Sequence, residues 1–256
     1  NNIRSIVHFL IVNIWSANNV LKDIIRSKRI PVVSLERIFR QKSGSSIVEN
    51  AHKINNGEAV VLDNKSSDFF YVPRPGAKAA SDEVGMLISK KLPPYVNCRS
   101  SEIQVLTPMR NGPLGVGALN KELQQVLNPG SPEKKEKELN DGTILRQGDK
   151  VMQIRNNYKL EWSIYGGKGR FKIEEGMGIF NGDMGVVTEI DEYNEEVVVL
   201  FDDDKEVRYP YNMLDELELS YAITIHKSQG SEYPAVILPL LSGPKLLFYR
   251  NLLYTG

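Results

Sequence analysis

A mostly parallel, doubly wound α/β sheet with a small antiparallel β-barrel inserted into it is the fold class that the sequence predicts. Three observations carry it. Apolar strand patterns alternate with helical ones up to about residue 143. Helical spacing then disappears until about residue 211, while short strands and Gly/Asp/Asn turns take over. The alternating pattern resumes after Glu216.

The elements follow in order. Val20, Leu21, Ile24 and Ile25 have helical spacing within residues 20–29, and Pro31 ends that helix. IPVVSL reads as a short strand. SSIVENAHKINNG reads as a helix with Ser45 or Ser46 as N-cap, Glu49 in its first turn and Gly57 as C-cap. Residues 59–72 predict two short strands around Asn64-Lys65. SDEVGMLISKKL predicts a helix capped by Ser81, and EIQVLTP (102–108) a buried strand that runs into a polar loop. GALNKELQQVLNP predicts a helix closed by Asn128-Pro129. SPEKKEKEL (131–139) reads as a charged surface segment.

From residue 143 the expected strands are Lys150–Ile154, Gly185–Ile190, Val197–Leu200 and Glu206–Tyr209, separated by FNGDMG, DEYNEE and FDDDKE. That spacing predicts a small barrel. KLEWSIYGGKGRFKIEEGMG (159–178) reads as a hairpin or loop inserted within it.

The bulk numbers bound the function. At 256 residues, 41% hydrophobic and 25% charged, the chain has the composition of an ordinary globular protein. Its formal net charge is zero, so a nucleic-acid surface must come from local clustering of cations. The single cysteine, Cys98, excludes an internal disulfide framework and fits a reducing, cytoplasmic setting. With three histidines (His8, His52, His226) there is no cysteine–histidine metal cluster. IVHFLIVNIW (6–15) is about half the roughly 20 residues a membrane span needs. No membrane partner is expected.

Three stretches could carry chemistry. In ITIHKSQGSEYPAVILPL (223–240), two apolar strands flank seven polar or small residues, more than a plain turn requires. Open α/β sheets place ligands at the carboxyl ends of their strands. Thr224, His226, Lys227 and Ser228 suit phosphate oxygens, Gly230 permits close backbone approach, and Glu232 could accept from a ribose hydroxyl. A solvated hairpin loop is the competing reading, and these residues alone do not choose. VLTPMRNGPLG (105–115) repeats the arrangement: a buried strand ends at Thr107, then Arg110 and a Gly-rich turn lead into a helix whose first amides favour anions, the competing reading being an ordinary helix start with an incidental Arg. In LERIFRQKSG (35–44), Phe39 can cover a base and Arg40 can reach a phosphate. The barrel adds Lys150, Arg155, Asn156, Asn157, Tyr158 and Trp162, which mix donors with stacking rings or simply pack the barrel.

Together these stretches resemble a known family. LSYAITIHKSQGSEYPAVILPL followed by RNLLYTG looks like motifs V and VI of superfamily 1 helicases, in the RecD-like branch that includes the RecD subunit of exonuclease V and TraA-type conjugation helicases. IPVVSLERIFRQ…SSIVENAHKINNG is similar to the opening of that family's second RecA-like domain, and VLTPMRNGPLGVGALNKELQQVLNP to its next stretch. GDKVMQIRNNYKLEW…IFNGDMGVV…VLFDDDKEVRYP resembles the Src-homology-3-like barrel inserted there. The resemblance covers roughly residues 18–256.

The resemblance implies a RecA-like sheet over 31–143 and 213–256, a Src-homology-3-like barrel over 144–212, and a remnant or linker from a preceding RecA-like domain over 1–30. It implies that Arg40 reaches the γ-phosphate as a catalytic arginine, with Phe39 beside the adenine and Gly230 and Glu232 at the nucleotide. Thr107, Arg110, Thr224, His226 and Lys227 then grip single-stranded DNA or couple that grip to the ATP cleft, with Ser228 and Asn156 added to the DNA-binding set. The cofactor implied is ATP with Mg2+. The partners implied are single-stranded DNA and other exonuclease or conjugation subunits. The activity implied for the parent protein is ATP-dependent, 5'-3' DNA unwinding.

Departures from the family qualify this. No GxxxxGK[ST] phosphate loop is present; GGKGRF (166–171) has glycine where Ser or Thr is needed. That loop and the acidic strand end for magnesium are expected upstream, so the chain alone is expected to be inactive as an ATPase. Where the family carries a Gly-Asp-x-x-Gln-Leu-Pro motif, SIVHFLIVNIWSAN stands instead, and residues 1–17 receive no role. The chain ends at LLYTG, where the family continues into Thr-Arg-Ala. The alternative from another class is a non-catalytic nucleic-acid-binding module that keeps the helicase fold.

Overall fold

The computed structural model describes residues 26–29, 45–167, 171–241 and 250–255. Two compact units divide the chain, Asn1–Val48 and Glu49–Gly256. Most of the helix expected over 20–29, the strand IPVVSL, and the nucleotide candidates Phe39 and Arg40 lie outside the described residues.

Helix α1 (Ser46–Asn56) forms as expected, with Glu49 paired to Lys53 one turn later at 2.6 Å and Gly57 following at φ +76°. The two strands expected over 59–72 are absent, and the reason is local. The Asn50 side chain takes both backbone groups of Val61, and Asn64, itself at φ +57°, does the same for Tyr71. A primary amide carries the same donor and acceptor as a peptide, so these two side chains replace a strand partner.

Helix α2 runs Gly76–Met86, starting five residues before the expected cap Ser81, which is instead buried and bonded to Glu122. It continues through a π-turn (Leu87–Lys91) into α3 (Leu92–Val96), ending at Asn97 with φ +54°. Pro93 and Pro94 lack the N–H groups an α-helical ladder needs, and the wider turn precedes them.

Strand β1 (Gln104–Thr107) is the centre of the described parallel sheet, with β11 (Ala222–Thr224) on one side and β12 (Val236–Ile237) on the other, both parallel to it. Successive residues face opposite sides, and both sides are covered. Val105 and Ala222 join the core with Leu119 and Leu123 of helix α4 (Val116–Leu127). Leu106 and Ile223 pack with Met152, Ile225 and Leu252 of α5 (Arg250–Thr255). The register pairs Thr107 with Thr224, so both strands end level.

Between α4 and β11 the chain is antiparallel. SPEKKEKEL is more than a charged segment: β2 (Glu136–Glu138) pairs with β3 (Ile144–Arg146). The larger sheet contains β4 (Lys150–Gln153), β5 (Asn157–Gly166), β6 (Phe171–Ile179), β7 (Met184–Asp191), β8 (Glu196–Phe201), β9 (Glu206–Pro210) and β10 (Leu217–Leu219), in the order β10-β4-β7-β8-β9-β5-β6. The expected insertion is the hairpin β5–β6, joined to the sheet through Ser163 opposite Glu206. Among the described residues no ladder joins β6 to β10, so the expected barrel is present as an open antiparallel sheet. β10, placed by the sequence reading with the α/β part, pairs with β4.

The two sheets are tied by a polar hub. Asp149, fully buried, accepts four hydrogen bonds: from Gln124 (2.6 Å), Asn128 (2.7 Å), the Arg146 amide (2.7 Å) and the Tyr221 hydroxyl (2.9 Å). Burial, with the charge of Asp149 beside it, pushes the Tyr221 phenol well above its usual range, so it remains a donor. Asn120, Gln124 and Asn128 lie four residues apart and share one face of the helix and its C-terminal end. Asn120 holds the backbone of Leu219 and Ala222 at 2.7–3.0 Å. Among the described residues no helix is long and apolar enough to cross a membrane.

Replacing Asp149 by Ala removes the acceptor shared by four donors at once. Asp149→Ala is expected to lower the unfolding free energy by at least about 3 kcal/mol, read from urea titration. A loss under about 1 kcal/mol would show that the hub does not hold the two sheets together.

Candidate nucleic-acid interface

Two polar loops leave the level ends of β1 and β11. The first, residues 108–115, is folded by its own backbone. The Thr107 hydroxyl donates to the Leu114 carbonyl at 2.7 Å, and the amides of Val116 and Gly117 donate to the Met109 and Arg110 carbonyls. A Cβ at Gly115 would lie 2.6 Å from the Arg110 carbonyl oxygen, and Gly112 has φ +95°. Only glycine meets both demands without displacing the backbone. Two of the helix-start amides expected to favour an anion, those of Val116 and Gly117, are therefore taken by the loop itself, and the Arg110 side chain is the cationic feature of the turn.

The second loop begins with a 3-10 turn, Ile225–Ser228. Ile225 is buried beneath it, and the Ser228 hydroxyl donates to the Ile225 carbonyl at 2.8 Å. Ser231 closes onto the Ser228 carbonyl. The turn leaves His226 exposed and Lys227 half-buried, with Gln229, Gly230, Ser231 and Glu232 exposed beyond it.

Between the loops stands a residue the sequence reading missed. Glu218 lies on β10, between the buried Leu217 and Leu219. One carboxylate oxygen meets Arg110 Nη2 at 2.6 Å; the other lies 3.7 Å from Lys227 Nζ. Burial is the main influence on Lys227 and pulls its ammonium below the usual lysine value; Glu218 opposes that pull and Arg110 adds to it. The signal in the sequence was the alternation of LELS, which puts Glu218 on the face opposite two core leucines.

Arg110, Thr224, His226 and Lys227 are thus brought to one end of the parallel sheet. Thr107 and Ser228 are there too, but both are buried with their hydroxyls engaged by loop carbonyls, which gives them a shaping role. Gly230 and Glu232 sit further along the second loop. Asn156 is elsewhere, in the turn between β4 and β5, where its side-chain oxygen accepts from the Asn181 amide.

The other barrel candidates are mostly engaged internally. Arg155 pairs with Asp215, Asn157 donates to Glu216, and Trp162 lies under the Lys205 ammonium and against Gly176. Lys150 turns inward to the Ser101 carbonyl and to Gln104 Oε1, which is fully buried on β1. Tyr158 is exposed, edge-on to Phe180. Among the described residues no group of three or more His, Cys, Asp or Glu side chains is placed to hold a metal ion.

Comparison with known proteins adds the class. Residues 119–201 match the family described as "ATP-dependent RecD-like DNA helicase SH3 domain", and residues 219–256 match the "UvrD-like helicase C-terminal domain". The first match spans α4 to β8; the second holds Lys227 and its turn. Residues 119–201, with most of the antiparallel sheet, and residues 219–256, with the Lys227 turn, therefore match helicase domains. The chain is 31% identical over 227 residues to the ATP-dependent RecD2 DNA helicase of Deinococcus radiodurans, spanning 88% of this chain and 27% of that protein. It is 27% identical over 153 residues to the RecBCD enzyme subunit RecD of Buchnera aphidicola, spanning 60% of this chain and 22% of that subunit. A Pif1 helicase from Bacteroides, crystallised with ADP-AlF3 and ssDNA, aligns over 87% of this chain and 48% of that one, at 18% identity and a TM-score of 0.46. The chain belongs to the RecD-like helicases of superfamily 1, and its domains are those of the carboxy-terminal portion. It spans about a quarter of the length of its RecD2 relative.

Lys150 gives a pH-dependent test of the junction between the sheets. Burial lowers its pKa to about 8 from 10.5, with Asp202 opposing the shift. Between those values the unfolded chain holds more protons, so this group's contribution to stability increases as pH rises. Relative to Lys150→Met, the natural chain is expected to gain stability from pH 8 to 10.5, by at most about 1.4 kcal/mol per pH unit. A pH-independent difference would place the ammonium in solvent.

Proposed function

We propose that the chain supplies half of the ATP cleft and much of the single-stranded DNA track of an ATP-dependent DNA helicase that moves 5'-3'. The observation that carries this is the convergence of Arg110 and Lys227, from separate loops, at the carboxyl end of the parallel sheet. Two cations there meet successive phosphates without reading bases, as a motor indifferent to sequence requires. His226 and Thr224 stand on the same loop.

Gly230 and Glu232 fit the sugar edge of a nucleotide: both are exposed, and nothing lies within 4 Å of where a Cβ at Gly230 would sit. The described residues offer no cradle for the phosphates or for Mg2+, and Arg40 is assigned to the γ-phosphate by family resemblance. A phosphate loop from another part of the parent protein completes the site. The chain alone is therefore inactive in ATP hydrolysis, and the setting is cytoplasmic. Further exonuclease or conjugation subunits are partners of the parent.

Fluorescence anisotropy with a labelled oligothymidylate across a salt series tests the track. Arg110→Ala and Lys227→Ala are each expected to weaken binding and to flatten the log–log salt slope by about 0.7, one single-strand phosphate contact each. Unchanged slopes would make both residues ordinary loop charges. In a parent protein containing the phosphate loop, Arg40→Ala is expected to abolish ATP turnover and leave single-strand binding intact. Surviving turnover would remove Arg40 from the cleft.

A further inference from the structure

We infer that Glu218 is a resident competitor for the nucleic-acid phosphate, holding Arg110 and Lys227 in readiness and lowering the grip of the track so that it can release. The inference rests on the reading of these loops as a DNA track.

Three features support it. First, Glu218 divides itself between the loops, 2.6 Å to Arg110 through one oxygen and 3.7 Å to Lys227 through the other. A phosphodiester likewise presents two unesterified oxygens and one negative charge, so it can take the same place between the cations. Second, the carboxylate is fixed in position. Leu217 and Leu219 are anchored in the core, and the β10 backbone is paired with β4, Glu218 opposite Met152. It can yield its partners, but it does not leave with them. Third, the cluster retains room for exchange. Arg110 keeps 58% of its side chain exposed and uses only Nη2 on Glu218, so its remaining donors can engage a phosphate before the ion pair opens.

The charge balance states the consequence. Arg110 and Lys227 contribute +2 and Glu218 −1, leaving +1 to meet the strand. With Glu218 neutralised, the same loops present +2. A translocating protein must grip and release repeatedly, and a counter-charge already in place keeps each grip shallow.

Glu218→Gln keeps the shape and removes the charge. Anisotropy titration of the chain with a labelled oligothymidylate is expected to show roughly two- to fivefold tighter binding at low salt, the range set by a partly exposed ion pair. The salt slope is expected to steepen by about 0.7. In an Arg110→Ala background the gain should shrink, since one of the two competed cations is gone. Glu218→Ala is expected to move affinity in the same direction, and carries the test if the Gln variant fails to fold. Unchanged or weaker binding in the Glu218 variants, while Arg110→Ala and Lys227→Ala still weaken it, would overturn the inference and make Glu218 a positioning residue. If neither cation variant alters binding, the track reading itself fails, and this inference with it.

Discussion

One buried carboxylate, Asp149, fixes how the antiparallel sheet, α4 and the parallel sheet meet. A carboxylate removed from water must have its lone pairs satisfied, and four donors from separate segments converge to do so. One comes from α4, one from Asn128 at its C-terminal cap, one from the end of β3, and one from the segment that enters β11. The antiparallel sheet, the helix and the strand that carries the Lys227 loop are thereby held to one geometry. Asn120 extends the restraint by binding the backbone at Leu219 and Ala222, on either side of Ser220 and Tyr221. The position of Lys227 relative to Arg110 is therefore set some distance away from either.

From that frame the chemistry of the strand ends follows. Thr107 and Thr224 end their strands level. The loops beyond are compact because their hydroxyls and amides bind their own carbonyls, and because glycine stands at the two crowded or left-handed positions of the first loop. What remains for a ligand is side-chain charge. Two cations and one carboxylate, contributed by three different segments, define a surface that suits a phosphate chain better than a small neutral molecule.

Much of this was legible in the sequence, and the failures have physical causes. Alternating apolar runs disclosed β1, α4 and the strands β4, β7, β8 and β9, because burial on fixed faces leaves a periodic trace. ITIHKSQGSE disclosed the second loop, because an excess of polar residues between two apolar strands is hard to explain by a turn. The strands expected near Asn64 failed because side-chain amides of Asn50 and Asn64 replaced the ladder, an exchange that composition does not reveal. Ser81 has the chemistry of a cap, but the helix began earlier, at Gly76. Asp149 and Glu218 escaped notice because their side-chain partners are distant in sequence; pairing over 108 residues, as between Arg110 and Glu218, has no local signature. The stripe Asn120, Gln124, Asn128 was visible as helical spacing, but its buried orientation was not.

In the proposed DNA track the Lys227 turn and the Arg110 loop face a nucleic-acid strand together. Lysine acetylation footprinting, read by mass spectrometry with and without a saturating single-stranded oligonucleotide, tests it most directly. Lys227 is expected to be protected by the oligonucleotide, while Lys65, an exposed lysine paired only with nearby Asp63 among the described ion pairs, continues to react. Equal modification of Lys227 in the presence and absence of the strand would contradict the account.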